Sequence, residues 1–147
     1  RYGVDYKNGP VTLLAERIDH ASTIQPYDSL RLEARFDQRL GLGSSLNLSF
    51  SHEQIDYTDT DEKVKLNLAR MDWAQRLTNE FDFIARLQYR DETDTSSGNT
   101  NGLEEVLELR WHRRQTSVYA TINNSTLNRP GGDTSSLALV LGLRREF

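Results

Sequence analysis

The sequence predicts an all-β fold, an antiparallel up-and-down barrel of about eight strands or a segment of a larger barrel. Three observations predict it. Apolar and polar residues alternate with a period of two through successive segments from Ser29 onward. The connections between those segments are short and long in turn. Aromatic residues gather toward the segment ends.

The elements follow in order. Pro10–His20 (PVTLLAERIDH) forms one strand. Before it, Tyr2, Val4 and Tyr6 also alternate, and Asn8-Gly9-Pro10 is a strong turn signal. Leu30, Leu32, Ala34 and Phe36 alternate with Arg31, Glu33, Arg35 and Asp37, and Leu46, Leu48 and Phe50 alternate with Asn47, Ser49 and Ser51. Val64, Leu66 and Leu68 alternate with Lys65, Asn67 and Ala69. Phe81, Phe83, Ala85, Leu87 and Tyr89 alternate with Asp82, Ile84, Arg86, Gln88 and Arg90. Leu107, Leu109 and Trp111 alternate with Glu108, Arg110 and His112. Val118, Ala120 and Ile122 alternate with Tyr119, Thr121 and Asn123. A helical period would mix Arg with Leu on one face. The phase slips between Phe50 and Ile55 and again between Leu68 and Met71, which predicts a β-bulge at each.

Connections near Leu40–Ser44, Leu77–Asn79 and Arg114–Thr116 are very short. Those at Ala21–Asp28, Thr58–Glu62, Asp91–Gly102 and Asn128–Thr134 are mostly longer and rich in polar turn residues. Phe36, Trp73, Phe81 and Trp111 fall beside the short turns, and Tyr27, Tyr57 and Tyr89 toward the long loops. Rings at both ends of an apolar band suit an interfacial girdle.

Composition narrows the function. A net charge of -4 leaves no basic surplus to neutralise phosphates, so no nucleic acid is expected as partner. No apolar run reaches the roughly 18 residues of a spanning helix. A strand barrel needs only alternate apolar positions, which 36% apolar residues can supply. There is no cysteine, hence no disulfide or thiolate metal site. Phosphate-cradling glycine loops, metal-spaced histidine clusters and redox motifs are also missing, so no cofactor is expected.

The last segment, SSLALVLGLRREF, puts Leu137, Leu139, Leu141, Leu143 and Phe147 on one face, and Ala138, Val140, Gly142, Arg144 and Glu146 on the other. This strand resembles the closing strand of Gram-negative outer-membrane β-barrels. The resemblance implies a transmembrane barrel in the bacterial outer membrane. It further implies contact with outer-membrane lipid and recognition of Phe147 as the insertion signal by the barrel-insertion machinery. The short turns then lie on the periplasmic side. With lipid outside, the inward face carries Arg31, Glu33, Arg35, Asp37, Lys65, Asp82, Arg86, Arg90, Glu108, Arg110, His112, Arg144 and Glu146. In a closed eight-stranded barrel these would pair as a buried network, and in a wider one they would line water. The simpler role is to keep that face polar, and selectivity for a solute is the sharper one. The expected function is therefore a passive pore, conduit wall or membrane anchor without catalysis.

Two rival classes have sequence support. A soluble lipocalin-like barrel would enclose the leucines around an apolar ligand, although the Gly-x-Trp expected near its first strand is absent. An outer-membrane lipid hydrolase would need His20 and Ser22, which lack an acidic partner spaced to orient the imidazole. The acidic stretch Asp56–Glu62 has oxygens at alternate positions but lacks the glycine and terminal Glu of a calcium loop. The chain reads as one β-barrel domain over 1–147, with residues 1–9 a possible remnant of a preceding strand and turn. About nine strands, an odd number, and the alternation already running at Tyr2 suggest a segment whose edges pair with further strands. The alternative is that Pro10–His20 pairs with Ser135–Phe147 and closes a small barrel.

Overall fold

A computed structural model describes residues 1–21, 25–41 and 43–145. It is all-β: β1 (Tyr2–Asn8), β2 (Val11–His20), β3 (Tyr27–Gly41), β4 (Ser44–Tyr57), β5 (Lys63–Arg76), β6 (Phe81–Asp94), β7 (Gly98–Arg113), β8 (Thr116–Asn128) and β9 (Thr134–Arg145). The nine strands form one up-and-down sheet in sequence order, every neighbouring pair antiparallel. The sheet is not closed. β2 pairs with β1 and β3 on its two sides, so the closure of Pro10–His20 onto Ser135–Phe147 is not formed.

The turns explain the order. Gly9 (φ 54) reverses the chain between β1 and β2, and Gly41 and Gly43 (φ 82 and 76) do so between β3 and β4. Thr78 Oγ1 accepts the backbone N–H groups of Glu80 and Phe81, both at 3.1 Å, and fixes the β5–β6 turn. These short turns lie at one end of the sheet, and the longer connections β2–β3, β4–β5 and β8–β9 lie at the other. The expected long loop Asp91–Gly102 is not formed, because β6 runs on to Asp94 and β7 starts at Gly98, pairing most of that stretch as a tight hairpin.

Pairing across the strands shows which residues share a face. One face carries Leu32, Leu48, Phe50, Met71, Trp73, Ala85, Leu87, Leu107, Leu109, Ile122, Leu139 and Leu141. The opposite face carries most of the charge. No second layer covers the leucine face: Ala85 is the one buried apolar residue among the described residues, and Leu107, Leu139 and Leu141 are 45%, 66% and 72% exposed. Covering a leucine side chain is worth about 1.5–3 kcal/mol, so this face requires an apolar partner.

Three further expectations are corrected by the register. Lys65 lies in register with Leu30 and Gln54, on the leucine face rather than the charged one. Leu66 and Leu68 accordingly face the charged side. The alternation in β5 is real, but its phase is set by pairing with β4 and β6, where Ala69, Met71 and Trp73 meet Phe50, Leu48 and Leu46. No bulge interrupts β4 or β5 at the two proposed places: Ile55 simply lies on the charged face opposite Ser29 and Val64. The register shift that does occur is between Arg39 and Gly41. Finally, Tyr27 and Tyr57 sit in one row with His20 on the charged face, so they are not part of a girdle on the leucine side. Their distance from the turns fits a girdle but their parity does not. Tyr89 and the four aromatics beside the short turns do lie on the leucine face.

Candidate functional site

The leucine face has edges, and the edges are inclined. On β3 apolar residues continue to Leu30 at the loop end, whereas on β8 they stop at Ile122, with Asn124 next. Following the pairing, the row of Leu30 meets β7 at Asn99 and the row of Ile122 meets it at Leu107, eight residues further along (99 to 107). The turn-side edge shifts in the same sense. The row of Phe36 meets β7 at Glu105, and Val118 pairs with Trp111, six residues further (105 to 111). Five strand spacings of about 4.8 Å and a rise of about 3.3 Å per residue convert these shifts to a slope of roughly 40–50°. Strands of closed barrels tilt by about 35–45° to the axis, so the apolar belt runs level when the strands carry a barrel's tilt. Above it, on the same face, polar side chains bond to one another. His52 Nδ1 and Asn67 Oδ1 lie 2.7 Å apart, and Asn67 donates to Asp91 at 3.3 Å. Asn124 donates to Glu105 at 2.9 Å.

On the charged face the expected residues Arg31, Glu33, Arg35, Asp37, Asp82, Arg86, Arg90, Glu108, Arg110, His112 and Arg144 fall together by register. Glu146 and Phe147 lie outside the described residues, as does Ser22, so the pairing of His20 with Ser22 is not described. His20 stacks on Tyr27 at 4.9 Å between ring centroids, and Tyr27 meets Tyr57 edge-on at 6.0 Å. Among the described residues no group of three acidic or imidazole side chains converges to hold a metal, the Asp56–Glu62 stretch included.

The charges are organised by spacing. Residues two apart on a strand point the same way, so Arg and an acid at i and i±2 can pair along it. Arg31 Nη2 reaches Glu33 at 3.2 Å, and Arg35 pairs with the same carboxylate. Arg70 grips Asp72 with both Nε (2.6 Å) and Nη2 (3.0 Å). Arg90–Glu92 and Arg110–Glu108 repeat the motif at 2.6 Å. Cross-strand pairs join these: Arg86 to Asp72, Arg76 to Asp82 and His112 to Asp82, each at 3.5 Å. Sequence reasoning missed Arg70, Asp72 and Glu92 because it had the phase of β5 inverted and stopped β6 at Arg90.

In each of these arginine pairs the acid is the more buried partner. Glu33 is 10% exposed against 57% for Arg35, and Glu108 is 19% against 47% for Arg110. The carboxylates lie against the sheet and the longer guanidinium groups stand above them, half in the open. Ion pairs this exposed contribute about 0–1 kcal/mol each, so they give the face its chemistry more than its stability.

A one-layer antiparallel up-and-down sheet with an inclined apolar belt on one face and charge on the other has the architecture of a β-barrel wall. Solved structures agree. The chain is similar to a loop-deletion mutant of OmpT, an outer membrane protein of Vibrio cholerae, with a TM-score of 0.64 at 10% identity, over 97% of this chain and 51% of that one. It is similar to in-vitro folded OmpT of the same organism, with a TM-score of 0.61 at 10% identity, covering 97% and 53%. The trimer form of OmpT gives 0.59 at 11% identity, covering 97% and 54%. The chain thus spans about half the length of these structures. No protein-family model and no curated protein sequence matches it.

Proposed function

We propose that the chain is part of the wall of a bacterial outer-membrane β-barrel, and that its charged face borders a water-filled conduit without performing catalysis. The inclined belt is the observation that carries this reading. A level apolar band about 20 Å deep follows from the eight residue steps between Phe81 and Tyr89 on β6, at about 3.3 Å per step and roughly 45° of tilt. Outer-membrane lipid covers that band. Further strands pair with the free sides of β1 and β9, because each unsatisfied backbone group in hydrocarbon costs several kcal/mol. Nine strands that still leave both edges free need a barrel wider than the eight-stranded kind that side chains fill, which favours a wet lumen over a dry network.

Substituted-cysteine labelling tests the reading, because this chain has no native cysteine. In the full-length protein folded into lipid vesicles, a membrane-impermeant thiol reagent should label Ser49→Cys and spare Leu48→Cys. Equal labelling of both would remove the lipid-facing assignment, and protection of both would remove the conduit. The rival lipid-hydrolase reading requires His20→Ala to abolish a lipid-cleaving activity of the purified protein.

A further inference from the structure

Strand β4 differs from its neighbours on the charged face. Its central side chains there are small, Asn47, Ser49 and Ser51, while β3 beside it carries Arg31 and Arg35 and β5 carries Arg70. Adjacent strands lie about 4.8 Å apart, so the arginine walls stand about 10 Å apart across a floor of hydroxyls and an amide. The hollow between them has a volume of about 370 Å³.

Two of its carboxylates are spoken for. Glu33 is engaged by Arg31 and Arg35, and Asp72 by Arg70 and by Arg86 from β6. With Asp37, and with Glu53 on β4 opposite Arg31, acids and arginines balance in number, so their height above the sheet sets the sign the trough presents. Glu33 and Asp72 are 10% and 27% exposed, and the four arginines 43%, 57%, 48% and 56%. Asp37, the third carboxylate of the trough, lies toward the turn-side end. A guanidinium has five N–H donors and the ion pairs use only some of them, so the outermost groups at this level are cationic donors. Serine hydroxyls and the Asn47 amide add neutral donors below.

The geometry points to the β4 trough as an anion-attracting track that takes small oxyanionic solutes, carboxylates or sulfate, along the charged face. The shared recognition chemistry is a planar or tetrahedral oxyanion held between guanidinium walls over hydroxyl donors. This rests on the conduit reading for its access to water and adds the sign of charge that the conduit favours at this strand.

The test compares the full-length wild-type protein with R35Q/R70Q in planar lipid bilayers under a potassium acetate gradient, reading the acetate-to-potassium permeability ratio from the reversal potential. Glutamine keeps a donor and most of the length but removes the charge, and an unchanged unfolding midpoint establishes that the variant folds. The expected result is a fall in the ratio of about twofold or more. A conducting protein whose ratio is unchanged or rises in the variant overturns the track and leaves the conduit standing. A folded protein that does not conduct overturns the conduit. Equilibrium dialysis of sulfate against the detergent-folded protein then decides the trough: retention lost in R35Q/R70Q upholds it, and no retention by the wild type overturns it.

Discussion

Met71 and Glu105 lie in one hydrogen-bonded row of the sheet, as do Ala120 and Gln75, yet the inclined belt places the members of each pair at different depths. Met71 lies midway between Ala69 and Trp73 on β5, and Ala120 midway between Val118 and Ile122 on β8. Glu105 lies at the loop-side edge of the belt, and Gln75 at the turn-side edge. Placing Arg on the lipid face of a barrel costs about 2–4 kcal/mol at the bilayer midplane and about 0–1 kcal/mol near the interfaces. Met71→Arg and Ala120→Arg should therefore each destabilise by about 2–4 kcal/mol, and Glu105→Arg and Gln75→Arg by about 0–1 kcal/mol. Reversible denaturant unfolding from lipid vesicles measures all four at once, provided the slopes of free energy against denaturant agree. Row-mates with equal costs would show that depth does not follow the belt. The reasoning from its slope would then be wrong.

Further outcomes follow from particular contacts. Gly142 lies beneath the ring of Tyr119, where an added Cβ would overlap the ring, so Gly142→Val should displace Tyr119 and loosen β8–β9 pairing by about 1 kcal/mol, read as faster hydrogen exchange in β9. Exchange unchanged from wild type would show that the ring does not brace this pair. At the β6–β7 tip beyond the belt, the Ser97 hydroxyl first, then the Ser96 backbone N–H and hydroxyl, hold the Asp94 carboxyl down to about 2 from 3.8. A lowered folded value means that this bonding stabilises the tip above the free value and is lost as pH falls through about 2. Titration of Asp94 by NMR near 3.8 would contradict it. Breaking the stacked contact of His20 on Tyr27 with His20→Ala should leave conductance unchanged, because that contact lies at the loop end of the charged face, away from the β4 trough, and loss of a measured activity would reopen the enzymatic reading.

The strands were legible because their signals are local. Alternation, the Asn8-Gly9-Pro10 turn and the short connections mark the nine strands, but the polar ends of β6 and β7, Asp91–Asp94 and Gly98–Gly102, read as loop because no apolar residue alternates there. Phase was legible where a strand is apolar on one face throughout, as in β6 from Phe81 to Tyr89. It was not legible in β5, where Leu66 and Leu68 precede Met71 and Trp73 on the other parity. Only pairing with β4 and β6 decides which set shares a face with Leu48 and Leu87. The charged face was visible as a list of residues. Its relief was not, because burial of Glu33 beneath Arg31 and Arg35 depends on side-chain length above a wall. The trough likewise needs three strands to be adjacent before small serines on one become a floor between arginines on the others.

The central claim is that the outer face carries a level lipid belt inclined to the hydrogen-bonded rows. Spin labels at Leu30→Cys, Ile122→Cys and Asn99→Cys in the full-length protein, read by oxygen-accessibility depth measurement in lipid bilayers, test it most directly. The account predicts that the labels at positions 30 and 122 lie at the same depth, at the loop-side edge of the hydrocarbon. The label at 99 should lie outside the bilayer, although it shares a row with Leu30. Equal depths for 30 and 99, with 122 lying deeper, would contradict it.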